Sequence, residues 1–380
     1  MDLWCPARSG CAYDGAMNLS CDVLIVGGGI AGLSLASELA SRGGPTVALV
    51  EAEPTLGYHT SSRSARQLNP SYGPPVVRRL TARTLGLLAG VQERTRLVLT
   101  TPRSYLLIGS EADVAARAAG PMRRVTHAEA LRLCPQLLPD TFEAAGLDTT
   151  CVGTDTDALL EYHRSAAVAA GVAIRTDARV TAAERSGGRW RVRAGEQEIN
   201  AGVVVNAAGA WADRLAELCG AAPRNLVPYR RTAAVVRVES QPVPGTPMVA
   251  SADDSFYFRR DEAGVLISPC ESVPSAAEDA RPNPGDVEAL ILRLNTLTTL
   301  GITGVVRSWT GLRTSPPSGI PVVGFDPDAE GFFWLAGQGG YGFQTSSALA
   351  ELAAAQLSGQ EPGDTQAASE LAPAVAASDG

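Results

Sequence analysis

The chain has 380 residues, enough for two domains or for one domain interrupted by another, and at 45% hydrophobic and 19% charged it is not an intrinsically disordered protein. A formal net charge of -8 with no run of Lys or Arg excludes nucleic acid as a natural partner. Seven cysteines without a CxxC, and three histidines without helical spacing, argue against a disulfide framework, a structural zinc site or a metal enzyme.

Residues 1–20 lack the continuous apolar stretch of a secretory signal and read as a disordered leader, with Met17 an alternative start. No apolar run approaches the ~20 residues of a membrane helix, so the expected compartment is cytoplasmic. Residues 22–26 (DVLIV) form an apolar strand suited to the centre of a parallel sheet. A glycine cluster follows, then a helix from Ile30 to Ser41 and a second strand from Thr46 to Glu51. Helical patterns recur around 76–90, 125–133, 156–170 and 211–219. Alternation predicts antiparallel strands at 178–185 with 189–194, and at 228–239 with 255–260 and 264–269. Pro and Gly clusters at 241–246 and 281–285 mark loops, and a helix is expected over 286–298. Strands return at 303–308, 320–324 and 332–336, and a last helix runs from Phe343 to Leu357. The tail 359–380, rich in Ala, Ser, Glu and Pro, is expected to be disordered.

The first strand runs into Gly27-Gly28-Gly29-Ile30-Ala31-Gly32, a GxGxxG at Gly27, Gly29 and Gly32. That spacing permits a tight turn, close approach of a pyrophosphate, and close helix–strand packing. The phosphates would rest on helix N-terminal amides around Ile30 and Ala31. Glu51 ends the second strand near the ~20-residue offset of an acid that binds ribose hydroxyls. A dinucleotide site follows, although the motif alone does not separate FAD from NAD.

Three further segments resemble the D-amino-acid-oxidase superfamily of flavoproteins, which includes glycine and sarcosine oxidases. They are Gly57 to Ala65 (GYHTSSRSA), Val203 to Trp211 (VVVNAAGAW) and Gly337 to Thr345 (GQGGYGFQT). TDTDAL at 154–159, SFYF at 255–258 and EGFFWLAGQGGYGFQTS at 330–346 are also similar to the D-arginine-dehydrogenase-like branch. The resemblance implies non-covalent FAD, since Thr314 to Pro317 carries no cysteine of the kind that tethers flavin in sarcosine oxidases. It implies cofactor contacts at Thr60, Arg63, Ser64 and Gln67, at Val180, at Ala208 and Gly209, and at Gly339, Gly342, Gln344 and Thr345. The implied fold is α/β: a Rossmann-type, GR2-like FAD-binding domain from 21–75, 145–225 and 305–358. An interleaved α+β substrate domain, built on an antiparallel sheet, would come from 76–144 and 226–304.

For the reaction, the resemblance places Arg313 on a substrate carboxylate, helped by Tyr257. Adjacent strand residues face opposite ways, so only one of Arg230 and Arg231 enters the site, and the resemblance favours Arg231. Tyr72 matches a loop tyrosine over the substrate, and Gly340 a carbonyl that meets the substrate amine. Gln67 stands where D-arginine-type enzymes have a histidine, and Arg103-Ser104 near the acid that holds a guanidinium, which disfavours basic substrates. The implied reaction oxidises the Cα–N bond of a D-amino acid or N-substituted amino acid by hydride transfer to flavin N5. A 2-oxo acid and ammonia or amine result, with O2, a quinone or a carrier protein reoxidising the flavin. A 2-hydroxy acid or glycerol-3-phosphate-type dehydrogenase, and a non-catalytic flavin-bound accessory protein, stay open as alternatives.

Overall fold

Two compact units form from interleaved stretches of chain: Met1–Tyr58, Asp157–Leu226 and Thr314–Gly380 build the first, His59–Thr156 and Val227–Arg313 the second. The computed structural model describes residues 12–14, 18–118 and 120–373. The expected leader and tail therefore lie partly outside the described residues.

In the first unit, Asn18–Val26 pairs in parallel with Val47–Val50 on one side and Gln197–Asn206 on the other. Gln197–Asn206 is long enough to serve two partners. Its first half runs antiparallel to Arg189–Ala194, and Val204 to Asn206 run parallel to Phe332 to Trp334. Val23 to Val26 and Val47 to Val50 are buried because helices cover the sheet, which explains the apolar run of each. Helices Ile30–Ser41 and Gly342–Leu357 pack against each other, and Ser34 Oγ lies 3.4 Å from the Ser346 carbonyl. Small side chains allow that approach.

Part of the expected tail is ordered. Thr365–Leu371 is a helix capped by Asp364, and Ala367 and Leu371 bury its apolar face. Likewise Ala12–Asp14, assigned to the leader, pairs with Asn18 to Ser20.

The same unit contains a titratable defect. His163, on helix Thr156–Ala169, is buried, and neither ring nitrogen has a hydrogen-bond partner among the described residues. Burial lowers its pKa from 6.5 to about 4. The unfolded chain takes up this proton first as pH falls, so stability drops through the window from 6.5 to about 4. The full loss is up to about 3 kcal/mol. His163→Leu should flatten this stretch of the stability–pH curve, as urea unfolding across the window would show.

The second unit is a mixed sheet in the order 273–274, 227–238, 264–268, 257–261, 248–251, 105–109, 144–148, 123–125, with Ile302–Ser315 also paired to Val227–Val238. All its pairs with a printed register are antiparallel except Met248–Ser251 with Tyr105–Gly109. Three stretches expected in the cofactor domain belong here: 59–75, 145–156 and 305–313. Pairing decides this. Ala144–Asp148 is laddered to Tyr105–Gly109, Gln67–Leu68 to Val152–Thr154, and Ile302–Ser315 to Val227–Val238.

Alternation sorts the side chains of this sheet onto two faces. Leu106, Ile108, Ala234, Val236, Phe256 and Phe258 join one core with Leu290 and Leu294 of helix Pro284–Leu297. Tyr105, Leu107, Ala233, Val235, Tyr257 and Cys270 join the other, with Trp309 packed against it.

Candidate active site

The glycine turn of the first unit is shaped by contacts that admit no side chain. Gly27 has φ +116°, and a Cβ there would stand 2.3 Å from the Ala207 carbonyl oxygen. A Cβ on Gly32 would stand 2.0 Å from the Gly27 carbonyl oxygen. Gly32→Ala should therefore cost about 1–3 kcal/mol of stability and lower FAD occupancy, read from the visible flavin absorbance of the purified protein.

Gly29 begins helix Ile30–Ser41 with no side-chain cap and no acid in the first turn, a geometry that suits an anion. The Glu51 carboxylate accepts from Gly28 N at 2.7 Å and Glu53 N at 2.9 Å, which holds it beside the turn. Ala178 N donates to the Glu51 carbonyl, tying the start of strand Val180–Ser186 to the same place. Ala208 N lies 3.3 Å from Asn206 Oδ1, next to the Ala207 carbonyl that crowds Gly27. Helix Gly342–Leu357 also starts uncapped and without an acid, and a Cβ on Gly342 would meet Ile30 at 3.6 Å. Two helix N-termini without a side-chain cap thus start close together. Gln344 and Thr345 are buried, and the Thr345 hydroxyl donates to the Tyr341 carbonyl. Gly339 N donates to the Thr314 carbonyl, and Gly340 is exposed in the turn that follows. The glycine cradle, the anchored acid and the paired helix starts fit a dinucleotide.

The remaining expected cofactor residues belong to the second unit. Thr60 Oγ1 donates to the Leu312 carbonyl at 2.9 Å. Arg63 donates to the carbonyls of Thr310 and Ala280 and pairs with Asp279, so its guanidinium braces strand Ile302–Ser315. Ser64 Oγ accepts from Arg66 N at 3.0 Å. Gln67 Nε2 donates to the Arg103 carbonyl, and Arg103 reaches back to the Arg66 carbonyl at 2.8 Å.

Arg103 departs from the sequence expectation. Burial, then the like charge of Arg259, lowers its pKa to about 10, with Asp261 opposing. It belongs to this part-buried Arg66–Gln67–Arg259–Asp261 group and is not among the lining residues of the pocket described below. Spacing along the chain cannot reveal this, because the short strand pairing of Gln67–Leu68 with Val152–Thr154 turns the segment.

Of the expected substrate residues, Tyr72, Arg231, Tyr257 and Arg313 lie in the second unit and Gly340 in the first. Arg230 turns to Glu278, at 3.0 Å, while Arg231 turns to the opposite face and lies 3.8 Å from Asp254. Tyr257 is buried; burial raises its phenol pKa, Cys270 adds to the rise, and Arg313, Ser268 and Arg231 oppose it. Burial acts to lower the Arg313 pKa, but Tyr72, Tyr257, Cys270 and Asp254 outweigh it and the pKa is raised. Arg313, Arg231, Tyr257 and Tyr72 therefore share one electrostatic environment. The buried Nε of Arg231 has no hydrogen-bond acceptor among the described residues. An anionic ligand would supply one.

Beside this group lies a pocket of about 320 Å³, lined by Asn69, Ser71, Tyr72, Arg78, Arg117 and Asp254 among others. Arg117, Asp254 and the buried Tyr105 were not legible as site residues. Asp254 follows shortly before the SFYF segment, which is the only local signal; Arg117 lies on a seven-residue helix with no motif.

Residues 22–356 match the family described as FAD dependent oxidoreductase (DAO). The chain is 28% identical over 347 residues to a glycine oxidase of Geobacillus kaustophilus, covering 83% of this chain and 87% of that protein. It is 26% identical over 371 residues to a glycine oxidase of Pseudomonas putida, covering 90% and 96%. The crystal structure of glycine oxidase from Geobacillus kaustophilus matches with a TM-score of 0.80 at 25% identity, over 90% of this chain and 96% of that one. Among the described residues, no helix is long and apolar enough to cross a membrane.

Proposed function

The chain belongs to the FAD-dependent oxidoreductase family, and from that premise we propose that it oxidises the Cα–N bond of a D-amino acid or an N-substituted amino acid. The product is an imine, which water converts to a 2-oxo acid and ammonia or an amine. FAD, when bound, supplies the acceptor for the α-hydrogen and its bonding electrons.

The observation that carries this reading is the grouping of Arg313, Arg231, Tyr257 and Tyr72 within the second unit, close enough for their charges to act on one another. In this reading Arg313 grips the substrate carboxylate through its planar fork, and the buried Tyr257 hydroxyl adds a second donor. Arg231 Nε–H, buried without an acceptor among the described residues, contributes a further donor. The positive charge of the nearby arginines favours the neutral amine, the form that can be oxidised. Glycine oxidase names among the relatives support an amino acid as the substrate class.

The test is anaerobic mixing of the FAD-loaded protein with D-amino acids, N-methyl amino acids and 2-hydroxy acids. An amino acid should bleach the visible flavin band. Bleaching by 2-hydroxy acids alone would replace this reading with that of a hydroxy-acid dehydrogenase. No bleaching by any of them would remove the amine assignment.

A further inference from the structure

The pocket beside Arg313 and Arg231 carries more positive charge than one carboxylate requires. Arg78 and Arg117 line it, Arg231 lies 3.8 Å from the lining Asp254, and the Asp254 charge acts on Arg313. Asp254 faces Arg117, Arg231 and Arg313, and Glu271 faces Arg231. Burial raises the Glu271 pKa, with Thr232 and Arg231 opposing.

Asp254 is shared. Arg117 Nη1 lies 3.6 Å from its Oδ1 and Arg231 Nη2 lies 3.8 Å from its Oδ2. Both contacts are longer than a charge-assisted hydrogen bond of about 2.7–2.9 Å. The carboxylate sits in a left-handed turn (φ +57°) and is half exposed, so it bridges the two guanidinium groups without saturating either. Arg117 adds only a long bond to the Ala252 carbonyl at 3.3 Å. A cationic side chain entering this pocket would meet an acid already held between two arginines. An anionic one would meet the Arg117 and Arg231 guanidinium groups in a pocket whose wall includes Tyr72, Asn69 and Ser71.

We propose that the substrate carries a second acidic group, either on its side chain or on its nitrogen substituent, and that Arg117 is the residue that selects it. This rests on the amino-acid reading above and deepens it. One carboxylate goes to Arg313 and Arg231, and the other goes to Arg117. Because the two ends touch opposite oxygens of Asp254, a short dicarboxylic amine spans the distance. D-Aspartate, D-glutamate and N-carboxymethylglycine represent the class.

Two measurements on the FAD-loaded chain test this. The first is the ratio of kcat/KM for each diacid to that for its isosteric monoamide, such as D-glutamate against D-glutamine. A charged hydrogen bond at Arg117 predicts a ratio of at least about tenfold, expressed mainly in KM. Arg117→Leu should collapse the ratio towards one, and Arg117→Lys should keep part of it, which guards against a variant that merely misfolds. The second is the thermal stabilisation given by malonate, succinate and glutarate, none of which can be oxidised as an amine, compared with acetate and propionate. Greater stabilisation by the diacids, lost in Arg117→Leu, is expected. Oxidation of neutral amino acids with a wild-type ratio near one would overturn the diacid inference while the amino-acid reading stands. Diacid stabilisation without oxidation of any amine would instead remove the amino-acid reading, and with it the diacid as substrate.

Discussion

Arg313→Ala should lower kcat/KM for an amino-acid substrate by about 100- to 1000-fold, the cost of removing one partner of a buried, hydrogen-bonded charge pair. Arg313 is the cation about which Tyr72, Tyr257, Cys270 and Asp254 are disposed. A carboxylate held equally in the ground and transition states contributes to KM, so most of the loss should appear there. A smaller drop in kcat should accompany it, because a carboxylate no longer held at two points lets the α-hydrogen drift from its reactive position. Arg313→Lys keeps the charge and loses the planar fork, and should recover part of the loss. Stopped-flow reduction of the bound flavin over a range of substrate concentrations separates the two parameters. A change of less than about threefold would mean that Arg313 does not grip the carboxylate.

The second large effect concerns stability of the first unit. Asp326 is buried, with its side chain 0% exposed, and each carboxylate oxygen is fully occupied. Oδ2 accepts from Trp334 Nε1 at 2.8 Å and Arg224 Nη2 at 2.6 Å, and Oδ1 from the amides of Asp328 and Ala329, both at 2.9 Å. The Arg224 guanidinium also lies over the Trp334 ring, 5.6 Å from its centroid. Asp326→Ala strands a buried cation and an indole N–H together and should destabilise the protein by about 3–5 kcal/mol. Chemical unfolding followed by Trp fluorescence would measure it. Asp326→Asn should cost less, since the amide oxygen still accepts from the two backbone amides.

The pH dependence has a definite sign. Burial pushes the Asp326 pKa up, but the bonds from Trp334, Arg224 and the two amides outweigh it and hold it below the ordinary 3.8. Its stabilisation is therefore complete above 3.8 and is lost as pH falls through the lower folded value. Acid unfolding should accordingly show two stretches, one from His163 between 6.5 and about 4, and one from Asp326 below it. Asp326→Asn should remove only the lower one.

The turn from Gly27 to Gly32 was legible because every constraint on it is local. A strand, a tight turn and a helix start are adjacent in sequence, and the acid at Glu51 lies one strand further on, within hydrogen-bond reach of Gly28 N. Period-two alternation equally dictated that Arg230 and Arg231 would part, and they do. The start of helix Gly342–Leu357 was placed to within one residue, since its glycine-rich opening and apolar face are both written in the chain.

What the sequence by itself determined, then, is the set of elements and the composition of each of their faces. Tertiary structure decided which elements pair and which side chains meet. Strand pairing moved 145–156 and 305–313 into the second unit, and it carried Arg103 into a part-buried arginine group. It also brought Arg117 and Arg231, more than a hundred residues apart, to the Asp254 carboxylate. Local propensity acts over a few residues, whereas pairing and packing act between surfaces whatever their separation along the chain. A residue such as Arg117, on a short helix without a motif, acquires a meaning only from the neighbours that folding gives it.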